Sequence, residues 1–298
     1  MVQRGEQQWK LADTRAIDLD RPCVVCIVNA TPDSFADGGE YNTVDAAVDR
    51  VRRAIDDGAD MIDIGGESTR PGAGRVGADE QVRRVVPIVQ AIRACGLDIP
   101  ISVDTTLSGV AALALDAGAD AINDVSGMTE DPDMLGLASE RGCGVVLMHR
   151  LMNPERDSYS DAYSEEPVYG DVVGEVSDAL AVCRDAALGA GIERDRIVLD
   201  PGLGFGKSVV DNLRLIGSTD RIVENLGCPV MSGLSRKSFV GRVVFDRDSE
   251  PSERVDGTVG MSVMHMRCGA RVFRVHDVKE HREALDGAWA VLRVGGGE

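Results

Sequence analysis

Long apolar runs are absent from this sequence of 298 residues, although 43% of its residues are hydrophobic. No stretch reaches the ~18 apolar residues expected of a membrane-spanning helix. The opening segment, MVQRGEQQWK, lacks the apolar core of a secretory signal. We therefore expect a cytoplasmic protein that does not enter a membrane and has enough apolar residues for a large core.

Positive charge is also scarce, since 32 lysine and arginine residues face 50 aspartate and glutamate residues, a formal net charge of −18. This balance argues against nucleic acids and anionic membrane surfaces as partners, because their phosphates would be repelled. Lysine is especially rare, yet Lys207 and Lys237 both follow predicted strands. These two positions favour a compact ammonium over a planar guanidinium.

The seven cysteines are odd in number and scattered, mostly inside apolar runs. This pattern argues against a disulfide framework and fits a reducing compartment. Cys23 and Cys26 match a C-x-x-C motif, but residues three apart on a strand point to opposite faces. No second cysteine pair completes a zinc site, so we interpret both as buried strand residues.

The sequence does contain eight short apolar runs, each followed by a polar residue and then by a segment with helical spacing. Strands that are buried on both faces read as apolar runs. Eight of them alternating with helices, in a chain near the ~250 residues typical of the fold, predict an α/β protein with a single (β/α)8 TIM barrel. The runs cover 24–28, 61–66, 99–103, 121–122, 145–148, 197–199, 230–234 and 271–275.

We divide the chain into an N-terminal extension, one barrel domain and a short tail. Residues 1–22 would form a small ribbon or cap that closes the bottom of the barrel, and 23–293 would form the barrel itself. The glycine-rich residues 294–298 are predicted to be a flexible tail. Long loops between elements are usually functional or mobile, and three are predicted on the strand-end side, at 31–42, 67–79 and 150–170.

In a parallel barrel the carboxyl ends of the strands form the active-site face. Cationic side chains gathered there, in a protein of negative net charge, indicate an anionic ligand, and the last two strands of such barrels often bind phosphate. Arginine can hold phosphate oxygens through two parallel hydrogen bonds. The alternative is surface pairing with the abundant carboxylates. The cationic set is Arg70, Lys207, Arg236, Lys237, Arg274 and His276.

A second set of strand-end residues carries hydrogen-bond acceptors: Asp104, Asn123 and Asp200, with Asp124 beside them. A carboxylate accepts two parallel bonds from the amino and ring N–H groups of a planar heterocycle, and an amide offers both a donor and an acceptor. A metal cluster is the rival interpretation. Mg²⁺ needs only one or two protein ligands where phosphates and waters complete its shell, and Asn29 is the candidate ligand.

Other kinds of site are not supported by the sequence. The spacing in 72–77 matches G-x-G-x-x-G, but the glycines do not directly join a predicted strand to a helix. Zinc is not expected, because His149 and His276 follow different strands without the usual ligand pattern. No nucleophile with an adjacent base is evident. We expect His265 to be structural, on a helix, and His281 to lie at the surface.

Seven motifs, in order along the chain, resemble those of the dihydropteroate synthases, a family of pterin-binding enzymes. Together they extend from the first predicted strand to the last helix, and seven in order are far more specific than any one. The motifs are NATPDSF with DGG (29–39), GGESTRPG (65–72), SVDT (102–105), INDVSG (122–127), DPGLGFGK (200–207), GLSRKS (233–238) and RVHDV (274–278).

The resemblance implies a reaction that joins p-aminobenzoate to 6-hydroxymethyl-7,8-dihydropterin diphosphate, gives 7,8-dihydropteroate and releases diphosphate. It implies a Mg²⁺ ion on Asn29, competition by sulfonamides and a homodimer. The implied pterin residues are Asp104, Asn123, Asp200, Lys237 and Arg274, and the implied diphosphate residues are Asn29, Thr69, Arg70, Arg274 and His276. Pro71, Phe205 and Ser235 would hold p-aminobenzoate, and the implied catalytic residues are Asp33, Arg70, Asp104, Asp200, Lys237 and Arg274.

One segment departs from the resemblance, because 150–156 reads RLMNPER where relatives have a less charged stretch with glycine. This departure concerns the rim of the barrel near the fifth strand.

Three alternative functions stay open. A methyltetrahydrofolate:corrinoid methyltransferase would share the Asp–Asn–Asp group but would have no use for the diphosphate cations. A non-catalytic pterin-binding relative could lose site residues, and none is missing. A phospho-sugar barrel enzyme would explain the cations but not the acceptors.

Overall fold

The structure, a computed structural model, describes residues 7–12, 15–30 and 40–295, with side chains from 44 onward in the last segment. Two short strands, β1 (Gln8–Lys10) and β2 (Ala16–Asp18), form an antiparallel ribbon. Eight further strands are parallel: β3 (Cys23–Asn29), β4 (Met61–Gly65), β5 (Ile101–Asp104), β6 (Ala121–Asp124), β7 (Gly144–Met148), β8 (Ile197–Asp200), β9 (Met231–Ser232) and β10 (Val272–Val275).

The eight parallel strands close into a barrel. Their order in the sheet is β8-β7-β6-β5-β4-β3-β10-β9. A parallel bridge between Leu199 and Val230 joins the two ends of this order. The predicted (β/α)8 barrel with an N-terminal ribbon is therefore confirmed.

Helices follow the strands and cover the outside of the barrel. Alternate strand residues such as Val24, Cys26 and Val28 are buried in the layer between sheet and helices. The other set of alternate residues faces the barrel interior, which explains why whole strands read as apolar runs. The helices are α1 (Glu40–Asp56), α2 (Ala78–Ala94), α3 (Ser108–Asp116), α4 (Met134–Arg141), α5 (Val172–Gly189), α6 (Val209–Gly217), α7 (Thr219–Leu226), α8 (Ser238–Phe245), α9 (Val255–Arg267) and α10 (Val278–Gly295).

The ribbon fills the amino-terminal end of the barrel. Trp9 and Leu11 are fully buried and belong to one cluster with the inward-facing residues Met61, Val146 and Val198. The indole N–H of Trp9 donates to the carbonyl of Arg196 at 3.0 Å, so its polar atom is satisfied. This end of the barrel is therefore closed by apolar packing, while the polar strand ends lie at the opposite end.

Two sequence predictions about the last helix are wrong. Val294 and Gly295 belong to α10 rather than to a flexible tail, and 296–298 lie outside the described residues. His281 is fully buried instead of exposed, and its Nδ1 lies 2.6 Å from the carbonyl of Asp277. Val278, His281 and Leu285 share the buried side of the helix, so the helical spacing alone places His281 inside.

The interpretations of the cysteines and of His265 are confirmed. All seven cysteines are free, and Cys23 and Cys26 are buried. His265 is fully buried on α9 and hydrogen-bonds Ser232 at 2.9 Å and Thr219 at 2.8 Å. In the part of the chain that the structure describes, no helix is both long enough and apolar enough to cross a bilayer.

Replacing the tryptophan that closes the barrel should destabilise the protein strongly. Trp9→Ala removes a fully buried side chain, and we expect it to lower the free energy of unfolding by about 3–5 kcal/mol. Urea unfolding followed by circular dichroism measures this loss. Val168→Ala, at a position that is 92% exposed, is the control and should change stability by less than about 0.5 kcal/mol. Equal stability of the two variants would contradict the closing role of Trp9.

Candidate active site

The parallel register places several predicted site residues at one level of the sheet. Asn29 of β3 is paired with Gly65 of β4, Gly65 with Asp104 of β5, and Asp104 with Asn123 of β6. Asp200, the last residue of β8, is paired with Met148. The carboxyl ends of neighbouring strands therefore bring Asn29, Asp104 and Asn123 side by side, as the sequence predicts.

Arg274 joins two buried carboxylates across the top of the barrel interior. Its Nε donates to Oδ2 of Asp63 at 2.6 Å, and its Nη2 donates to Oδ2 of Asp104 at 2.7 Å. Asp63 is 1% exposed and Asp104 is 5% exposed. Charge-assisted bonds of this length between buried groups hold all three side chains in fixed positions.

Asp63 is a site residue that sequence reasoning missed. Besides Arg274, its carboxylate accepts from Oγ of Ser102 at 2.6 Å and from Nδ2 of Asn123 at 3.1 Å. It therefore orients both the arginine and the amide of the predicted acceptor set. The available signal was a carboxylate inside the apolar run 61–66, because a buried charge without a partner is too costly to occur there.

Burial raises the pKa of two predicted acceptors. The pKa of Asp104 is raised to about 7 by burial and by the neighbouring Asp63, although Arg274 opposes the change. Burial also raises the pKa of Asp200, against the pull of Lys237 and of the Gly202 N–H, which donates to it at 2.7 Å. The positive charge of Arg274 opposes this effect at both Asp104 and Asp200, and it therefore favours their ionised forms.

Asp124 does not join the acceptor set. It follows Asn123 on β6, and successive strand residues point to opposite faces. Its Oδ1 accepts from the backbone N–H and the hydroxyl of Ser126 at 2.7 and 2.6 Å. The acceptor group at the barrel mouth therefore consists of Asp104, Asn123 and Asp200 as predicted, with Asp63 beneath it.

Lys237 and Phe205 form a second part of the site. The ammonium of Lys237 lies 4.2 Å from the centre of the Phe205 ring and donates to the carbonyl of Leu203. Burial lowers its pKa to about 8, with Asp200 acting in the opposite direction. The ring of Phe205 packs with Val125 and Met148, so an apolar wall and a cation lie together near Asp200.

His276 lies near Ser235 and two arginines, which affect its charge. Its Nδ1 and the hydroxyl of Ser235 are 3.0 Å apart, and its backbone N–H donates to the same hydroxyl at 3.1 Å. Burial lowers its pKa to about 3, and Arg274 and Arg236 add to this effect. The lowered pKa favours the neutral imidazole, which can take part in hydrogen bonds, over the cation that the sequence suggests.

Arg236 and Lys207 are committed to the protein itself. Arg236 forms a two-pronged ion pair with Asp277, in which Nε and Oδ2 are 2.9 Å apart. The fully buried ammonium of Lys207 donates to the carbonyls of Gly202 and Phe205 at 3.0 and 2.9 Å. It also lies 3.0 Å from Nδ1 of His149. Arg236 therefore pairs with a carboxylate, as the alternative of salt bridging expects, whereas Lys207 is buried and bonds backbone carbonyls instead.

The remaining predicted residues lie on or near the loops of the mouth. Thr69 and Pro71 are half-buried and Arg70 is exposed on the loop that follows β4. This loop contacts the one that follows β7, because the N–H of Gly72 donates to the carbonyl of Pro154 at 2.8 Å. Asp33 falls outside the described residues. Thr69 and Arg70 thus lie on the loop that follows β4, whereas Arg274, the other arginine proposed for the anion, bonds Asp104 of the acceptor group.

Asn29 is the described residue whose donor atom could hold a Mg²⁺ ion that arrives with a phosphate-bearing ligand. In the described ranges there is no group of three or more histidine, cysteine or acidic side chains that could hold a metal. Asn29 is half-buried at the end of β3. An amide oxygen is a suitable Mg²⁺ ligand only where phosphate oxygens and water supply the rest of the octahedron.

Comparisons of the sequence with known proteins point to the same kind of site. The family model described as pterin binding enzyme matches residues 25–276. A dihydropteroate synthase of Synechocystis is 42% identical over 274 residues, which cover 92% of this chain and 91% of that protein. A probable bifunctional folylpolyglutamate synthase/dihydropteroate synthase of Haloferax volcanii is 45% identical over 271 residues, 91% of this chain, and the chain spans 31% of that protein's length.

Solved structures give the same result. A dihydropteroate synthase of Xanthomonas albilineans with 4-aminobenzoic acid superposes with a TM-score of 0.87 at 41% identity, covering 97% of this chain and 99% of that chain. A structure from the same organism in complex with 7,8-dihydropteroate gives a TM-score of 0.81 at 39% identity, covering 95% and 98%. The chain therefore belongs to the pterin-binding enzyme family, among the dihydropteroate synthases.

Proposed function

We propose that this protein condenses 6-hydroxymethyl-7,8-dihydropterin diphosphate with p-aminobenzoate, giving 7,8-dihydropteroate and diphosphate for folate biosynthesis. The observation that carries the proposal is the Arg274 guanidinium held by the buried carboxylates of Asp63 and Asp104 beside Asn123. This group offers acceptors to a planar heterocycle and places a fixed cation next to it. A transferase of this kind needs both at one strand-end face.

The acceptor group would hold the pterin. Asp104 and Asp200 can accept from its amino and ring N–H groups, and Asn123 can complement a donor and acceptor pair. The pairing with Arg274 favours the ionised form of Asp104, which is the form that accepts two bonds. Lys237, close to Asp200, would donate to an acceptor atom of the same heterocycle.

Departure of the diphosphate is the step that needs positive charge. As the bond between the pterin methylene carbon and the diphosphate oxygen breaks, negative charge grows on the leaving group and positive charge on the pterin. Arg70 and Arg274 would meet the negative charge, with Thr69 and the neutral His276 as hydrogen-bonding groups. Mg²⁺ held by Asn29 and diphosphate oxygens would supply further stabilisation of that charge. The carboxylates of Asp104 and Asp200 favour the cation that remains.

The arylamine completes the reaction. Phe205, packed with Val125 and Met148, offers an apolar wall for its ring, and Pro71 and Ser235 would also hold it. The nitrogen lone pair attacks the methylene carbon, and the new ammonium loses a proton to water or diphosphate. Because the arylamine is neutral at pH 7, no strong base is needed, which is consistent with the absence of an evident base in the sequence.

The alternatives account for less of this geometry. A corrinoid methyltransferase would use the acceptor group but not the arginines beside it, and a phospho-sugar enzyme would not need the buried acceptors. Assembly as a homodimer through the outer faces of the last two helices stays a prediction, as does a cytoplasmic location.

Purified protein with Mg²⁺ should release diphosphate only when both substrates are present. We expect omission of either p-aminobenzoate or the pterin diphosphate to abolish release, because attack by the arylamine completes the reaction. A coupled diphosphate assay with identification of dihydropteroate by mass spectrometry measures this. Methyl transfer to a corrinoid protein, or tight pterin binding without turnover, would overturn the proposal. A sulfonamide should compete with p-aminobenzoate in the same assay.

Removing the guanidinium of Arg274 should impair turnover more than the removal of any surface arginine. We expect Arg274→Ala to lower kcat/KM for the pterin substrate by about 10²–10³-fold, because it removes transition-state charge stabilisation. Steady-state kinetics on folded protein measures this loss. Arg271→Ala is the matched control, since Arg271 precedes the same strand and packs on Trp289 away from the mouth; it should stay within about threefold. Equal effects of the two variants would contradict the role of Arg274.

The pH dependence of kcat/KM for the pterin substrate should be bell-shaped with a narrow maximum. Below about pH 7 Asp104 takes up a proton and loses an acceptor, and above about pH 8 Lys237 loses its charge. Initial rates at low substrate concentration from pH 5.5 to 10 measure the profile. Lys237→Arg should extend the activity to higher pH, because guanidinium stays protonated. A flat profile between pH 6 and 9 would refute both assignments.

A further inference from the structure

The loop that joins β7 to α5 holds both polar backbone atoms of Gly206. The N–H of Gly206 donates to Oδ2 of Asp157 at 2.9 Å, and its carbonyl accepts from the hydroxyl of Tyr169 at 2.8 Å. We call this arrangement the Gly206 clamp. Asp157 directly follows the segment 150–156 that departs from the resemblance, and the proposed reaction gives neither side chain a role.

Asp157 is built into the loop rather than lying loosely on it. Its side chain is buried, and its Oδ1 accepts from the hydroxyl of Tyr163 at 2.5 Å and from the N–H of Ser158 at 2.9 Å. The backbone of Gly206 also lies close to Leu151, because a Cβ built on Gly206 would collide with that side chain. Gly206 adopts a φ of 63°, so both space and backbone conformation favour glycine there.

A second contact supports the other side of Phe205. Oδ1 of the fully buried Asn212 accepts from the N–H of Gly204 at 2.7 Å, and its Nδ2 donates to Oγ of Ser160 in the same loop at 3.1 Å. Lys207 holds the carbonyl of Phe205 itself at 2.9 Å. The residues on both sides of Phe205 are therefore anchored, and its ring direction follows from the backbone that they fix.

We propose that Asp157 and Tyr169 are positioning residues that set the affinity for the arylamine. This inference rests on the proposed function, in which Phe205 forms the wall of the p-aminobenzoate pocket with Lys237 over its ring. Neither clamp residue contacts the acceptor group or Arg274 through a described hydrogen bond. Loosening the clamp should therefore weaken arylamine and sulfonamide binding while leaving recognition of the pterin diphosphate unchanged.

The test compares Tyr169→Phe and Asp157→Asn with the wild-type enzyme. We expect each to raise KM for p-aminobenzoate and the inhibition constant of a sulfonamide about fivefold, which is about 1 kcal/mol at 25 °C. In Tyr169→Phe, which removes no charge, the kcat and the KM for the pterin substrate should stay within twofold. Tyr159→Phe, in the same loop at a position 45% exposed, is the matched control and should leave every constant unchanged. A lowered melting temperature with an unchanged KM for p-aminobenzoate would overturn the proposal.

A second measurement separates this inference from the proposed function. Hydrogen exchange of the Gly206 amide should speed up in Asp157→Asn whether or not the enzyme turns over, because that amide loses part of its acceptor. Unchanged exchange would refute the clamp. If the wild-type protein releases no diphosphate, the proposed function fails. Calorimetry with p-aminobenzoate then tests the role of the Gly206 clamp, because equal Kd values for wild type and Tyr169→Phe would refute it.

Discussion

The sharing of one guanidinium by Asp63 and Asp104 is the interaction on which the rest of the site depends. Two buried carboxylates without a cation would destabilise the barrel. A cation without them would have no fixed position in the interior. Arg274 comes from the last strand and its partners come from β4 and β5. The two ion pairs therefore connect parts of the chain that are distant in sequence. The site therefore needs β4, β5 and β10 to be in place together.

The site separates into a polar and an apolar half, and each has its own support. Asp63 orients Asn123 and Arg274 beneath the acceptor group. Phe205 is fixed by the glycine-rich loop and by the loop that follows β7. This division matches a reaction in which one substrate is recognised by directional hydrogen bonds and the other by ring packing. The two substrates can therefore be discriminated by separate parts of the same barrel mouth.

The strand ends could be predicted from sequence because parallel strands place their carboxyl ends together whatever their partners are. Asn29, Asp104 and Asn123 come into register for that reason alone. Charge state and pairing could not be predicted in this way. Partial burial near two arginines lowers the pKa of His276, and Lys207 turns inward to backbone carbonyls. Asp63 lies within an apolar run, and its partners come from three other strands. Their pairing with Asp63 is therefore not visible in the sequence.

The barrel is closed at one end by Trp9, and this has an optical consequence. The chain has two tryptophans. Trp9 lies in the amino-terminal plug, and Trp289 of α10 stacks against Arg271, which precedes β10. Both indoles therefore lie at the end of the barrel opposite the site. Intrinsic fluorescence will report the unfolding of the barrel while remaining insensitive to ligands in the mouth.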